Sequence, residues 1–531
     1  MKRKSLIAAL TALSLIGTGI LTGCGEKDTD TNRTASTEQK YGDTYPIEAS
    51  TTLTYWVDFP NQSTTGVTNF ADLPFYKAVK ENTGIDVKFT HPSSAEQNNM
   101  MLASGEYPDI MEVDFYNHPG GPNKAISDGY IIALNDYMQY APNLRKYLEE
   151  HPEADKMCKT DDGTYYAFPF IRGDKSLIVF CGPMLRQDWL DELNLEVPTT
   201  LDEWHTVLTA FKNEKGADAP LSFLVDTLKS STTFAGAFGV RSGLYVEDGV
   251  VKYGEAEPGY KDFIATMRQW YSEGLIDKNV ATLDSKILDS NVLDGKTGAM
   301  IGNVGGSMGK WTEAMKSIDP EFKLVAAPYP SLNKGERVKF GQYDNMVQSY
   351  GSASISSDCQ DVELAMRYLD YGYSEEGHML FNFGEEGVSY NMVDGYPQYT
   401  DLIMNNPEGK SFTEALGIYC RPNGAGPFVQ DPRYMEQSAS LPEQQDALQV
   451  WSDNDAEQTQ LPRIILTEEE SDRIARIKSD LDTYTSEAFM SFILGTMSLD
   501  DYDAYLNQLK TIGVDEYVQV YQDAYERYQE R

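Results

Sequence analysis

Histidine and cysteine are scarce in this chain, five of each in 531 residues. The histidines are scattered and none stands in a His-Glu-x-x-His run, so zinc-hydrolase chemistry has no motif to rest on. No Gly-x-Ser-x-Gly elbow occurs, which removes the usual signature of a serine hydrolase. Basic residues are also short: 44 Lys and Arg stand against 82 Asp and Glu, a formal charge of −38. Such a surface repels phosphate backbones, and with no basic stripe a nucleic-acid partner is not expected. Beyond residue 21 no run of 18 apolar residues exists, so the body contains no candidate membrane helix. Cys158, Cys181, Cys359 and Cys420 lie far apart with no Cys-x-x-Cys spacing. They permit two disulfides, in three connectivities, or four thiols.

The first 24 residues are of a different kind. Lys2, Arg3 and Lys4 precede an apolar run from Leu6 to Leu21 that is short and rich in Gly, Ser and Thr, the pattern of a secretory signal. It closes on Leu21-Thr22-Gly23-Cys24, which resembles the bacterial lipobox. That resemblance implies cleavage after residue 23 and acylation of Cys24, which would hold the chain at the outer face of a membrane. Residues 24–48 are polar and charged and are expected to form a flexible tether.

The body opens with three strand-like runs, Leu53 to Val57, Ile85 to Phe89 and Asp109 to Val113. Helical segments separate them, one from Leu73 to Asn82 ahead of Gly84 and one opening near Ser94. Strand and helix alternating at this spacing predict a parallel α/β-layered sheet. Ligands of such sheets bind outside the carboxyl ends of the strands. There the sequence sets Trp56, Asp58 and Phe59 after the first strand, and Asp114 and Tyr116 after the third. Further on, Thr200 and Glu203 form a capping box ahead of a stripe of Leu201, Trp204, Leu208 and Phe211, so Trp204 reads as core. Trp270 belongs by the same argument to the stripe of a helix from Gly259 to Glu273. Tyr343 to Ser356 reads as a strand, and from Thr467 the chain reads as all helix.

Gly298 to Trp311 is glycine-rich and looks at first like a nucleotide loop. Its spacing is neither the dinucleotide fingerprint nor the P-loop, and Lys310-Trp311 stands where Lys-Ser/Thr is required. What remains is a backbone that approaches something closely, with Asn303 before it and Trp311 one turn in. Asp161-Asp162-Gly163 and Asp289 to Gly295 fail the alternating calcium-loop pattern, so no metal and no cofactor is expected.

Aromatics, by contrast, are plentiful: 34 Tyr, 21 Phe and 6 Trp. A sugar offers an apolar C–H face to a flat ring and a hydroxyl rim to planar polar groups. Trp56, Phe59, Tyr116, Phe170, Trp311 and Tyr390 are the candidate platforms. Asp58, Asp114, Arg172, Asn303 and Asp344 are the candidate polar contacts.

The ordered motifs along the body resemble the extracellular solute-binding proteins of bacterial ABC importers, in particular the large oligosaccharide-binding lipoproteins. They run from Gly105-Glu106-Tyr107-Pro108-Asp109-Ile110 and Leu134-Asn135-Asp136-Tyr137, through Asp162-Gly163 to Pro169, to Leu185-Arg186-Gln187-Asp188-Trp189-Leu190 and Val197-Pro198-Thr199-Thr200. Gly295 to Met300, Phe383 to Tyr390 and Leu461 to Tyr528 complete them. The resemblance implies two discontinuous α/β lobes of the periplasmic-binding-protein kind, joined by a hinge, with a helical C-terminal extension. The hinge would cross near Ala167 to Phe170 and near Tyr343. One lobe would span 49–168 plus 344–420, the other 169–343 plus 421–531. It also implies a monomer without catalytic residues that hands a carbohydrate to ABC permease subunits, and it adds Tyr343 and Arg186 to the site, although Arg186 also stands two residues from Asp188. The alternatives are a peptide-binding or adhesive surface lipoprotein of the same fold, and a secreted glycan hydrolase or lyase with a two-carboxylate mechanism, which 82 carboxylates leave open by count alone.

Overall fold

The computed structural model describes residues 39–59, 65–421 and 424–531. Residues 39–531 form one compact unit. The expected signal at 1–23, Cys24 and the tether before residue 39 lie outside the described residues.

Two four-stranded sheets carry the molecule. In the first, the strand Thr52–Trp56 runs parallel to Asp86–Thr90 on one side and to Ile110–Met111 on the other, with Ser354–Ile355 added antiparallel at the edge. The helices Pro74–Thr83 and Ala95–Ser104 connect the parallel strands, and each ends at a left-handed glycine, Gly84 or Gly105, both at φ 72°. That conformation suits glycine because a Cβ would crowd the following carbonyl. In the second sheet Cys181–Arg186 and Ala299–Asn303 form the antiparallel centre, with Leu324–Ala326 and Leu221–Ser222 outside them.

Each sheet has its own core. Leu53, Tyr55, Phe70, Phe89, Ile355 and Leu364 pack around the first. Leu185, Trp204, Phe211, Phe263 and Trp270 pack around the second. Both Trp204 and Trp270 are buried, as their helical stripes predict. The capping box of Thr200 and Glu203 is formed, and so is that of Thr467 and Glu470 at the head of the long helix Glu468–Leu494. That helix and the two that follow, Tyr502–Ile512 and Val514–Glu530, pack on the second core, with Phe489 against Phe263 at 5.9 Å and Tyr517 against Tyr253 at 6.0 Å between ring centres.

The chain passes between the cores in several strands of main chain. Phe168 bridges Ala353, Ile171 bridges Val347, and Ile171–Arg172 pairs in parallel with Val429–Gln430. The stretch from Tyr343 to Ser356 is not the continuous strand expected: only Ser354–Ile355 is strand. The left-handed turn at Gly351, φ 70°, breaks the pairing.

The tether also ends earlier than residue 48. From Lys40 onward the segment is docked on the helix Val362–Asp370: Lys40 pairs with Asp361, Tyr41 donates to the same carboxylate at 2.6 Å, and Arg367 donates to Asp43 at 3.1 Å. Ile47 is buried behind them. A polar composition says how a segment is solvated, not which charges await it. Cys158, Cys181, Cys359 and Cys420 stand as buried thiols, not as disulfides.

Candidate ligand-binding site

A cavity of about 1340 Å³ opens beside the crossing strands. One wall follows the strand Ala299–Asn303 of the second sheet, where Val304–Gly309 winds as a single π-helical turn into the helix Lys310–Met315. The glycines there do two separate things. A Cβ at Gly309 would stand 2.3 Å from Nε2 of Gln444, whose side chain donates to the Val304 carbonyl at 2.7 Å and fixes the turn. At Gly305 and Gly306 a Cβ would meet nothing within 4 Å, so the bare backbone faces open space.

The opposite wall is the segment 404–417, including most of the helix Phe412–Tyr419, which opens on a capping box of Ser411 and Glu414. This helix touches the helix Pro74–Thr83 and so belongs with the first sheet. Tyr434 and the segment 435–444 close a third side.

The floor is built from the crossings. Arg172 donates to the Tyr350 phenol at 3.0 Å and to the Leu177 carbonyl, lies 3.7 Å from Asp344, and holds its guanidinium carbon 4.6 Å from the centre of the Phe180 ring. Burial pushes the Asp344 carboxyl up, and Arg172 opposes that shift. Nε of Arg172 has no hydrogen-bond partner among the described residues. Phe170, 1 % exposed and packed in the first core, backs Tyr350 at 5.8 Å, so the floor sets the rings of Tyr350 and Phe180 around one arginine. Arg421, at the cavity's edge and almost wholly buried, pairs with Glu112, which also accepts from the Tyr55 phenol at 2.6 Å. Burial works against the charge on Arg421, but Glu112, Tyr76 and Tyr55 outweigh it and raise its pKa.

Three residues expected at the site from sequence, Phe170, Arg172 and Asn303, line this cavity together, with Asp344 directly behind Arg172. Others do not. Trp311 is 1 % exposed, donates its indole N–H to Asp289 at 2.7 Å, and is core; its stripe of Met308, Trp311 and Met315 is helical, a signal present in the sequence. Phe59 is buried against Phe70 at 4.5 Å, and Tyr390 is buried against Phe383 in a small satellite core of its own. Arg186 is buried between Asp188 and Asp319 and stacked on Trp189 and Phe322, which occupies it fully. Trp56 packs half-buried and donates to Asn98 at 2.8 Å, while Asp58 is exposed on the loop beyond it. Asp114 accepts from Asn117 at 2.8 Å and closes its own turn. Tyr343 packs at the edge of the Trp311 core. Tyr116 lies under the Arg463 guanidinium at 4.4 Å and lines a second, smaller cavity of about 380 Å³ against the helix Glu468–Leu494. Sequence reasoning passed over Phe180, Tyr350, Phe412, Tyr434 and Arg421. Only the Ser411–Glu414 capping box marks any of their segments.

The comparisons agree with this architecture. The family described as bacterial extracellular solute-binding protein matches residues 63–379. The fructooligosaccharide ABC transporter substrate-binding protein FusA of Streptococcus pneumoniae serotype 4 is 26 % identical over 558 residues, 99 % of each chain. The polygalacturonan/rhamnogalacturonan-binding protein YtcQ of Bacillus subtilis is 25 % identical over 339 residues, 60 % of this chain and 64 % of its own. The crystal structure of the alginate-binding protein AlgQ2 without calcium ion superimposes with a TM-score of 0.75 at 25 % identity, covering 90 % of this chain and 98 % of that one.

Proposed function

The chain belongs to the bacterial extracellular solute-binding proteins, and from that premise we propose that it captures an oligosaccharide between two lobes and delivers it to the permease of an ABC importer. The observation that carries this is the cavity of about 1340 Å³, above the roughly 300–1,000 Å³ of ordinary small-ligand sites. Its walls come from segments attached to the two different sheets. Its lining sets the rings of Phe180, Tyr350, Phe412 and Tyr434 among amides such as Asn303, Asn405, Asn406 and Gln437. Rings take a pyranose or furanose face, and amides both donate to and accept from its hydroxyls. The relatives named for fructooligosaccharide, polygalacturonan/rhamnogalacturonan and alginate support the same reading.

The mechanism needs no chemistry on the ligand. Contacts from both walls stabilise the closed arrangement, and the ligand shifts the open–closed balance only by its differential affinity for it. We place the lobes at 49–168 plus 344–420 and at 169–343 plus 421–531, with Cys24 acylated at the outer face of the membrane, the body extracellular and monomeric, and no catalytic group. The test is thermal unfolding of the chain from Gly25 onward against a panel of oligosaccharides and peptides. A ligand that binds only the native state at 100 times its Kd adds about 2.7 kcal/mol. A shift from a glycan, recovered unchanged, is the expected result; a shift from peptides alone overturns it.

A further inference from the structure

We propose that the oligosaccharide taken by the large cavity is anionic, its sugars bearing carboxylates as uronates do. This rests on reading the cavity as the glycan site and goes one step past it, from sugar to charged sugar.

The charge of the lining runs opposite to that of the chain. Acidic residues outnumber basic ones 82 to 44 in the whole sequence. Among the described residues of the cavity, Arg172, Lys310, Lys316, Lys410 and Arg421 face only two carboxylates, Glu313 and Glu414. The carboxylates that balance the other bases are set behind them. Asp344 stands behind Arg172 at 3.7 Å, Asp289 behind Lys310, Glu408 beside Lys410 at 3.6 Å and Glu112 behind Arg421, and none of these four is part of the lining. Each of these four bases thus lines the cavity while the carboxylate it pairs with lies outside the lining.

The two lining carboxylates are already engaged. Glu313 pairs with Lys316, and Glu414 accepts from the Ser411 amide and hydroxyl, each at 2.8 Å, which holds its pKa down. A neutral sugar's hydroxyls each donate and accept, so uncharged groups such as amides satisfy them and no fixed charge is required. A uronate brings its own acceptors and calls for fixed cationic donors, with arginine able to grip a carboxylate by two parallel bonds. Arg172 fits that demand. Its side chain is only 12 % exposed and is held in place by Tyr350, Leu177 and the face of Phe180. Repulsion from the rest of the acidic chain is screened beyond about 8 Å at physiological ionic strength, so the local lining decides.

The test is calorimetric titration of the chain from Gly25 onward with oligomers of galacturonate, glucuronate and mannuronate. The same oligomers with their carboxyls methyl-esterified, and neutral fructo- and malto-oligosaccharides, run beside them. At least one uronate oligomer should bind, lose 10-fold or more in affinity on esterification, and weaken as salt is raised. The double variant Lys310→Gln, Lys410→Gln, both on the cavity wall, should weaken it 10-fold with an unchanged melting temperature. Binding of the esterified or neutral glycans as tightly as the uronates overturns the charge inference and leaves the glycan reading standing. Failure of every glycan, charged or neutral, overturns both.

Discussion

The phenol of Tyr350 accepts a hydrogen bond from Nη2 of Arg172 at 3.0 Å, and the two residues sit on different passes of the chain between the cores. Tyr350 is 45 % exposed, large for a ring, and it leans toward Phe170 at the floor of the cavity. The bond ties the outgoing crossing at Ile171–Arg172 to the returning one near Val347, at the floor where ligand would rest.

Replacing Tyr350 should therefore separate binding from stability. Tyr350→Ala removes an exposed ring, and surface changes of this kind stay within about 0.5 kcal/mol. Glycan affinity is expected to fall 10-fold or more while the melting temperature holds. Tyr350→Phe, which keeps the ring but not the bond to Arg172, should fall between. Calorimetry on the three proteins decides it, and equal affinities would remove Tyr350 from the site.

Trp311 behaves in the opposite sense. Packed with Met184, Met308 and Met315 and bonded to Asp289, it is a core residue beside the cavity and not a platform in it. Trp311→Ala should cost about 3–5 kcal/mol of stability, as large core truncations do. Urea unfolding reads this directly, and a variant as stable as the parent would contradict the placement.

Glu112 and Arg421 form a buried pair, with side chains 9 % and 2 % exposed. Removing one partner strands the other charge, which typically costs about 3–5 kcal/mol. Glu112→Gln should accordingly lower the urea midpoint. The loss should shrink in the double variant with Arg421→Met, which leaves no charge to strand.

Asp370 gives a pH dependence. Burial raises its carboxyl from 3.8 to about 6, against the opposing hydrogen bonds from Leu144 and Asn143. An acid whose pKa is raised by folding holds its proton more tightly folded than unfolded. That contribution is complete below pH 3.8 and is lost as pH rises through about 6. It is worth on the order of 3 kcal/mol. Asp370→Asn keeps an acceptor for the Leu144 amide, so stability measured between pH 4 and 7 should fall less steeply in the variant. An unchanged slope would contradict the assignment.

What the sequence made legible was what local chemistry decides. The capping box at Thr200, the glycine stop at Gly84 and the stripe through Trp204 and Phe211 depend on neighbours within a turn or two. The parallel arrangement of the first three strands followed from their spacing. The site was only partly visible. Phe170, Arg172 and Asn303 stand at strand ends or crossings, where topology points to ligands. Phe412 and Tyr434 reach the cavity because the helix Phe412–Tyr419 packs on Pro74–Thr83 and the helix Pro432–Ser438 packs on Lys175–Leu177, and no local pattern encodes those meetings. Trp311 misled because adjacent glycines suggest a loop, whereas its own spacing to Met308 and Met315 is helical.

The most direct measurement uses Gly306, on the cavity wall, where an added Cβ would meet nothing within 4 Å. Gly306→Phe should fill the space intended for ligand without disturbing the fold. With the glycan identified by thermal shift, calorimetry on the parent and the variant should show one-to-one binding in the first and a 100-fold or greater loss in the second, at the same melting temperature. Equal binding in both would mean that the ligand lies elsewhere and that capture in this cavity is wrong.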